Sequence, residues 1–301
     1  MSGATGLRDK AFDSLYALGW TAVKHMPEGA ARRLFTRIAD RTWAKRGKGV
    51  RQLEKNLARV LGVPPQDPRV RRLSREAMRS YLRYWLESFR LPVMSRERIV
   101  SGMHITGYEQ IERILGEGRG VVVALPHMGN YDHAGAWLVA QGRPLTTVNE
   151  RLKPESLFER FVAYRESLGF EILALTGSDV SVFGVLARRL REGRVVCLVA
   201  DRDLTATGIE VDFFGGPARL PGGPAALAVQ TKAALLPVTL WYEGDGWGAR
   251  VHEEIPDPGE GDRKARTRAM TQSLADAFAE GISAHPADWH MLQKVWVEDL
   301  S

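Results

Sequence analysis

The chain has 301 residues, 44% of them hydrophobic and 26% charged, a balance that excludes a disordered protein and allows one to two domains with a large core. Its single cysteine, Cys197, excludes an intrachain disulfide framework and, within the apolar run Val195–Val199, reads as packing in a reducing compartment. Net charge is +6, but residues 1–100 carry 22 Lys and Arg against 9 Asp and Glu while residues 101–301 carry 20 against 27, so a basic third on an acidic body calls for an anionic partner, nucleic acid or membrane.

Residues 7–61 read as helices. Leu7, Ala11, Leu15, Leu18 and Ala22 recur at helical spacing, followed by Leu34 and Ile38 and then Leu53, Leu57 and Leu61, with Pro27, Gly47, Gly49 and Gly62 as punctuation. Arg32, Arg33, Arg37, Arg41, Lys45, Arg46 and Lys48 accompany Phe12, Trp20, Phe35 and Trp43. Two readings fit: helices lying on anionic lipid, or a solvated basic face over an ordinary core. The apolar stretch Leu15–Val23 follows Asp9, Lys10 and Asp13 and has no clear cleavage site, which argues against a signal peptide. No window approaches the roughly 20 apolar residues of a membrane span. A turn at Val63–Pro68 precedes a long helix over Val70–Leu91, whose Tyr81, Tyr84 and Trp85 are expected in the core. Arg96–Gly107 reads as a connection and Ile111–Leu115 as a short helix.

The stretch Gly120–Ala140 carries the strongest signal. Val121–Leu125 is an unbroken apolar run suited to a strand buried on both faces. Pro126 stops it, His127 follows, and Gly129 and Asn130 supply turn chemistry and an N-cap before a helix through Trp137 and Leu138. His127 therefore sits at the C-terminal edge of a sheet, where α/β proteins bind ligands. Asp132, in the first helical turn, is placed to fold back and accept from one ring nitrogen while the other takes a proton. The same H-x4-D spacing at His252 and Asp257 lacks this context, since Pro256 and Pro258 break any helix there.

Farther on, Arg143–Val148, Glu171–Leu175 and Arg194–Ala200 read as strands alternating with helices ending at Leu168 and over Val180–Leu190. The pattern predicts an α/β fold: a mainly parallel central sheet with helices on both faces, preceded by a basic helical region, in one domain of residues 1–301 divided near residue 100. Asp201-Arg202-Asp203 follows the last of these strands, as a solvated loop or as part of the site. Gly208–Phe214 reads as a strand, Gly215–Pro224 as a Gly/Pro-rich turn opening a helix, Leu235–Tyr242 and Arg250–Ile255 as a hairpin at a sheet edge, and Arg263–Ser283 as a helix. Trp289 reads as packing.

His127-Met-Gly-Asn-Tyr-Asp132 after an apolar strand resembles the signature of the glycerolipid and lipid A acyltransferase superfamily, and within it the actinobacterial phosphatidylinositol mannoside acyltransferases. The resemblance runs from about Arg75 to the C-terminus. It implies transfer of a long-chain acyl group from acyl-CoA, a co-substrate with no further cofactor or metal, to a mannose hydroxyl of an anionic membrane glycolipid. It further implies a peripheral enzyme at the cytoplasmic face of the plasma membrane, without a nucleic-acid partner. Carried over by position, His127 is the base, Asp132, Glu150 and Arg165 support it, and Asp201 falls in an acidic block where glutamate is common, with Arg202 beside it. Phe213 and Phe214 are implied to line the acyl tunnel, and Gly215, Gly222 and Gly223 to let backbone approach a ligand. A metal-dependent hydrolase built on His127, Asp132 and His133, with Asp201 or Asp203 adding oxygens, is the alternative, as is acylation of another glycolipid or a lysophospholipid. No G-x-S-x-G, P-loop or nucleic-acid motif is present.

Overall fold

The computed structural model describes residues 22–150, 155–175, 181–203 and 207–300. The basic third is helical. Helices α1 (Glu28–Lys45), α2 (Lys48–Leu61) and α3 (Pro68–Arg90) pack through Phe35 against Leu86, and through Val50, Leu53 and Leu57 against Ala77 and Met78. Gly62 closes α2 in the left-handed conformation at φ +63°, and Asp67 caps α3 by accepting the Arg69 N–H at 2.8 Å, with Pro68 at the first helical position. Leu7, Ala11, Phe12, Leu15, Leu18 and Trp20 lie outside the described residues.

The stretch read as a plain connection holds α4 (Arg96–Ser101) and strand β1 (Met103–Thr106). Six and four residues are too few to show a period, which is why neither was legible. Then come α5 (Tyr108–Gly116), β2 (Val121–Leu125), α6 (Tyr131–Ala140), β3 (Leu145–Asn149), α7 (Glu155–Ser167), β4 (Glu171–Ala174), α8 (Val182–Arg191) and β5 (Val195–Val199). The chain closes with β6 (Ile209–Phe213), β7 (Gly216–Leu220), α9 (Gly223–Thr231), β8 (Ala234–Glu243), β9 (Gly246–Val251), α10 (Arg263–Ala284) and α11 (Val297–Leu300).

Seven strands form one sheet in the order β1-β9-β8-β2-β5-β3-β4, with β2 at its centre between parallel β5 and β8. All five β2 residues are buried. Val122 and Ala124 feed the core shared with α8, α9 and α10, and Val121, Val123 and Leu125 the core shared with α5 and α6. The uninterrupted apolar run follows from this, since a strand covered on both faces has no polar side. The β8–β9 hairpin is antiparallel as expected but does not end the sheet, because β1 pairs alongside β9.

A second, two-stranded sheet, β6–β7, replaces part of the expected Gly/Pro-rich turn. It corrects three site expectations. Phe213 is 1% exposed, stacked on Trp296 and edge-on to Trp289, so it belongs to the core and not to a tunnel wall. Phe214 packs against the same cluster, and Gly215 is the hairpin turn at φ +73°. Among the described residues, no helix is long and apolar enough to cross a membrane.

Candidate active site

Strands β2 and β5 lie in parallel register, Leu125 opposite Val199, and the Ala200 N–H donates to the Leu125 carbonyl at 2.8 Å. Two residues beyond each strand stand His127 and Asp201, so the register itself makes them neighbours. His127 Nδ1 lies 2.6 Å from one Asp201 carboxylate oxygen, and the His127 backbone N–H donates to the other at 2.9 Å. The Trp289 indole N–H donates to that second oxygen at 2.8 Å. Asp201 is fully buried, which alone would raise its pKa. The attraction of the adjacent His127 and the three hydrogen bonds outweigh burial and hold the carboxyl below its usual range. An ionised Asp201 only accepts, so the tautomer of the neutral imidazole is the one with its proton on Nδ1 and the lone pair on Nε2. The His127 side chain is 32% exposed and lines a groove of about 630 Å³.

The turn bearing His127 is fixed from both sides. Gly129 sits at φ +56°, and a Cβ there would come within 2.9 Å of the Leu240 backbone. The Gly129 N–H donates to the Asp288 carbonyl, and the His290 N–H donates to the His127 carbonyl at 2.7 Å. Asn130 caps α6 by accepting the His133 N–H, while its amide donates to the buried Glu87 carboxylate at 2.7 Å. Glu87 also takes the Trp247 indole N–H and the Arg83 guanidinium.

Asp132 does not hold His127, and the expectation from its spacing is corrected. Its oxygens accept from Arg165 Nε at 2.8 Å and from the Tyr84 hydroxyl at 3.0 Å, and among the described residues no hydrogen bond joins it to His127. Arg165 also donates to the Asn149 side chain at the end of β3, so Asp132 and Arg165 tie α6 to α7 and β3 behind the groove. Glu150, expected to support the base together with Asp132 and Arg165, is instead half-exposed and pairs with Arg202 at 3.3 Å. Asp201, read as either a solvated loop or part of the site, lies buried behind the imidazole. Glu150, Arg165, Arg202, Gly222 and Gly223 do line the groove.

His133 turns away from this cluster. It stacks on Trp247 at 3.6 Å, its Nε2 lies 3.1 Å from the Ile99 carbonyl, and burial holds its pKa down to about 4. The second H-x4-D pair does not assemble: His252 meets Thr239, and Asp257 meets Arg266. Tyr84, Asn149 and Trp289 join the site although sequence reasoning passed over them or assigned them to packing. The only available signal was that a buried strand-end carboxylate needs N–H donors. Behind Tyr131 and Arg165 an apolar cavity of about 100 Å³ opens between β2, β3 and α6, lined by Trp137, Leu145, Phe170 and Val199. It shares Tyr131, Val148, Arg165, Leu198 and Val199 with the groove.

Residues 7–298 match the bacterial lipid A biosynthesis acyltransferase family. The chain is 51% identical over 301 residues to a phosphatidylinositol mannoside acyltransferase of Mycolicibacterium smegmatis, covering all of this chain and 96% of that protein. It is 53% identical over 296 residues to the protein of the same name from Mycobacterium tuberculosis H37Rv, covering 97% of this chain and 90% of that one. A lipid A biosynthesis acyltransferase of Haemophilus influenzae is 25% identical over 157 residues, 52% of this chain and 48% of the relative.

Proposed function

The chain belongs to the bacterial lipid A biosynthesis acyltransferase family, and on that premise we propose that it moves a long-chain acyl group from acyl-CoA to a mannose hydroxyl of a phosphatidylinositol mannoside. The observation that carries the reading is the Asp201–His127 pair at the wall of a groove that adjoins an apolar cavity.

His127 Nε2 takes the proton of the mannose hydroxyl as that oxygen attacks the thioester carbonyl. The tetrahedral intermediate collapses, the C–S bond breaks, and the departing CoA thiolate takes the proton back from the imidazolium. Asp201 holds the ring tautomer and stabilises the transient positive charge, with Trp289 fixing the carboxylate. Positioned base catalysis of this kind contributes typically ~10²–10⁴-fold. Asp132 acts through Arg165 rather than through the imidazole. The guanidinium and Glu150 face the groove, and the acyl chain lies along the groove toward the apolar cavity behind Tyr131.

Peripheral attachment at the cytoplasmic face of the plasma membrane fits the basic third. Leu34 and Ile38, 40% and 39% exposed, lie one turn apart on α1 among Arg33, Arg37 and Arg41. Incubating the purified protein with palmitoyl-CoA and a panel of glycolipids, followed by mass spectrometry, tests the reading. A singly acylated phosphatidylinositol mannoside is the expected product; acylation confined to a lysophospholipid, or none, refutes it.

A further inference from the structure

Beside the groove lies an open pocket of about 460 Å³ lined by Lys48, Gln52, Arg202, Asp203, Gln293 and Lys294. It shares Arg202 and Asp203 with the groove that holds His127, so the two concavities adjoin. Three cations meet one carboxylate there, and Asp203 already accepts the Gly208 N–H at 2.8 Å. Nearby cations are matched: Arg46, just before α2, by Glu54, and on α2 Lys55 by Asp299 and Arg59 by Glu298 and Asp299. Lys48, the first residue of α2, and Lys294 are exposed and have no ion-pair partner among the described residues.

Arg202 is underused. Among the described residues its Nε is buried without a hydrogen-bond partner, and its guanidinium reaches Glu150 only at 3.3 Å. A guanidinium with a free edge and two unpaired ammonium groups in one concavity is the chemistry of phosphate recognition. A buried donor left without a partner is otherwise an uncompensated cost.

We infer that the Lys48–Arg202–Lys294 pocket binds a phosphate ester of a substrate during acyl transfer. The inference rests on the function proposed above. Two substrates carry that group: the acceptor, through its phosphodiester, and the donor, through the phosphates of coenzyme A.

The test compares the full chain with K48E/K294E in micelles of neutral detergent, which remove any contribution from binding to a charged membrane. Three KM values are measured: for phosphatidylinositol mannoside, for palmitoyl-CoA, and for methyl α-mannoside, an acceptor without phosphate. Reversing two phosphate-facing charges is expected to raise the KM of one phosphate-bearing substrate by about tenfold. The KM of methyl α-mannoside should stay within about twofold, since nothing in it reaches the pocket. A rise for the glycolipid alone assigns the pocket to the acceptor, and a rise for palmitoyl-CoA alone assigns it to the donor. Unchanged KM values for both, or an equal rise for methyl α-mannoside, overturn the inference. Should charge reversal impair folding, K48Q/K294Q gives the same comparison with a rise of about threefold. Product formation by the unsubstituted chain is read in the same assay, so its absence would identify failure of the proposed function itself.

Discussion

Replacing Asp201 by asparagine keeps the side-chain shape, removes the charge and exchanges one acceptor oxygen for an NH2 donor. Three donors converge on the carboxylate: His127 Nδ1–H, the His127 backbone N–H and the Trp289 indole N–H. An amide offers one oxygen. If that oxygen serves the backbone and the indole, the amide NH2 faces Nδ1, which must then accept. The ring proton moves to Nε2, and the groove-facing nitrogen can no longer take a proton from a hydroxyl. The opposite orientation sets NH2 against two N–H groups and leaves both unpaired. Loss of the base is worth ~10²–10⁴ in kcat, roughly 3–5.5 kcal/mol in the barrier. Initial rates of CoA release from palmitoyl-CoA, measured between pH 5 and 9 with saturating acceptor, read the effect directly. Asp132→Asn is the matched control, because it leaves the His127–Asp201 contact in place and should lower kcat less. A kcat for Asp201→Asn within about threefold of the unsubstituted enzyme at every pH would refute the reasoning.

Trp289→Phe preserves bulk in the core but leaves a buried carboxylate oxygen one donor short, so stability should fall by about 1–3 kcal/mol and kcat should fall with it; urea unfolding and steady-state rates check both. Arg165→Met leaves the buried Asp132 without its cation, and breaking such a pair costs about 3–5 kcal/mol. A thermal melt should show the loss, and adding Asp132→Asn should recover part of it. Burial holds His290 down to about 3 and His133 to about 4, so both stay neutral in the folded protein while the unfolded chain protonates them near 6.5. Between those values the unfolded state binds more protons, so stability falls as the pH falls, by up to ~1.4 kcal/mol per unit for each histidine. Urea midpoints should therefore drop from pH 7 to pH 5, and His133→Phe should make the drop shallower; equal slopes would contradict the assignment.

The local structure of the site was legible because its signals are local. An apolar pentapeptide closed by Pro126 gives β2, and Asn130 before a helical period gives the start of α6. The partner of His127 was not legible from spacing. Asp201 is 74 residues away and is brought alongside by the parallel register of β2 with β5. Asp132 looked like the partner because it is near in sequence, but its oxygens are taken by Tyr84 and Arg165. Trp289 looked like packing because it is buried, and it is; its indole N–H carries the additional role. Phe213, Phe214 and Gly215 were misplaced because a hairpin of alternating buried residues was hidden inside a run of Gly and Pro.

The most direct measurement is single-turnover acyl transfer by His127→Ala with palmitoyl-CoA already bound and phosphatidylinositol mannoside added in excess. The transfer rate should fall by ~10² or more while the Kd for palmitoyl-CoA changes by less than about threefold, because the imidazole acts on the proton and not on the chain. Transfer at a near-normal rate would show that His127 is not the base.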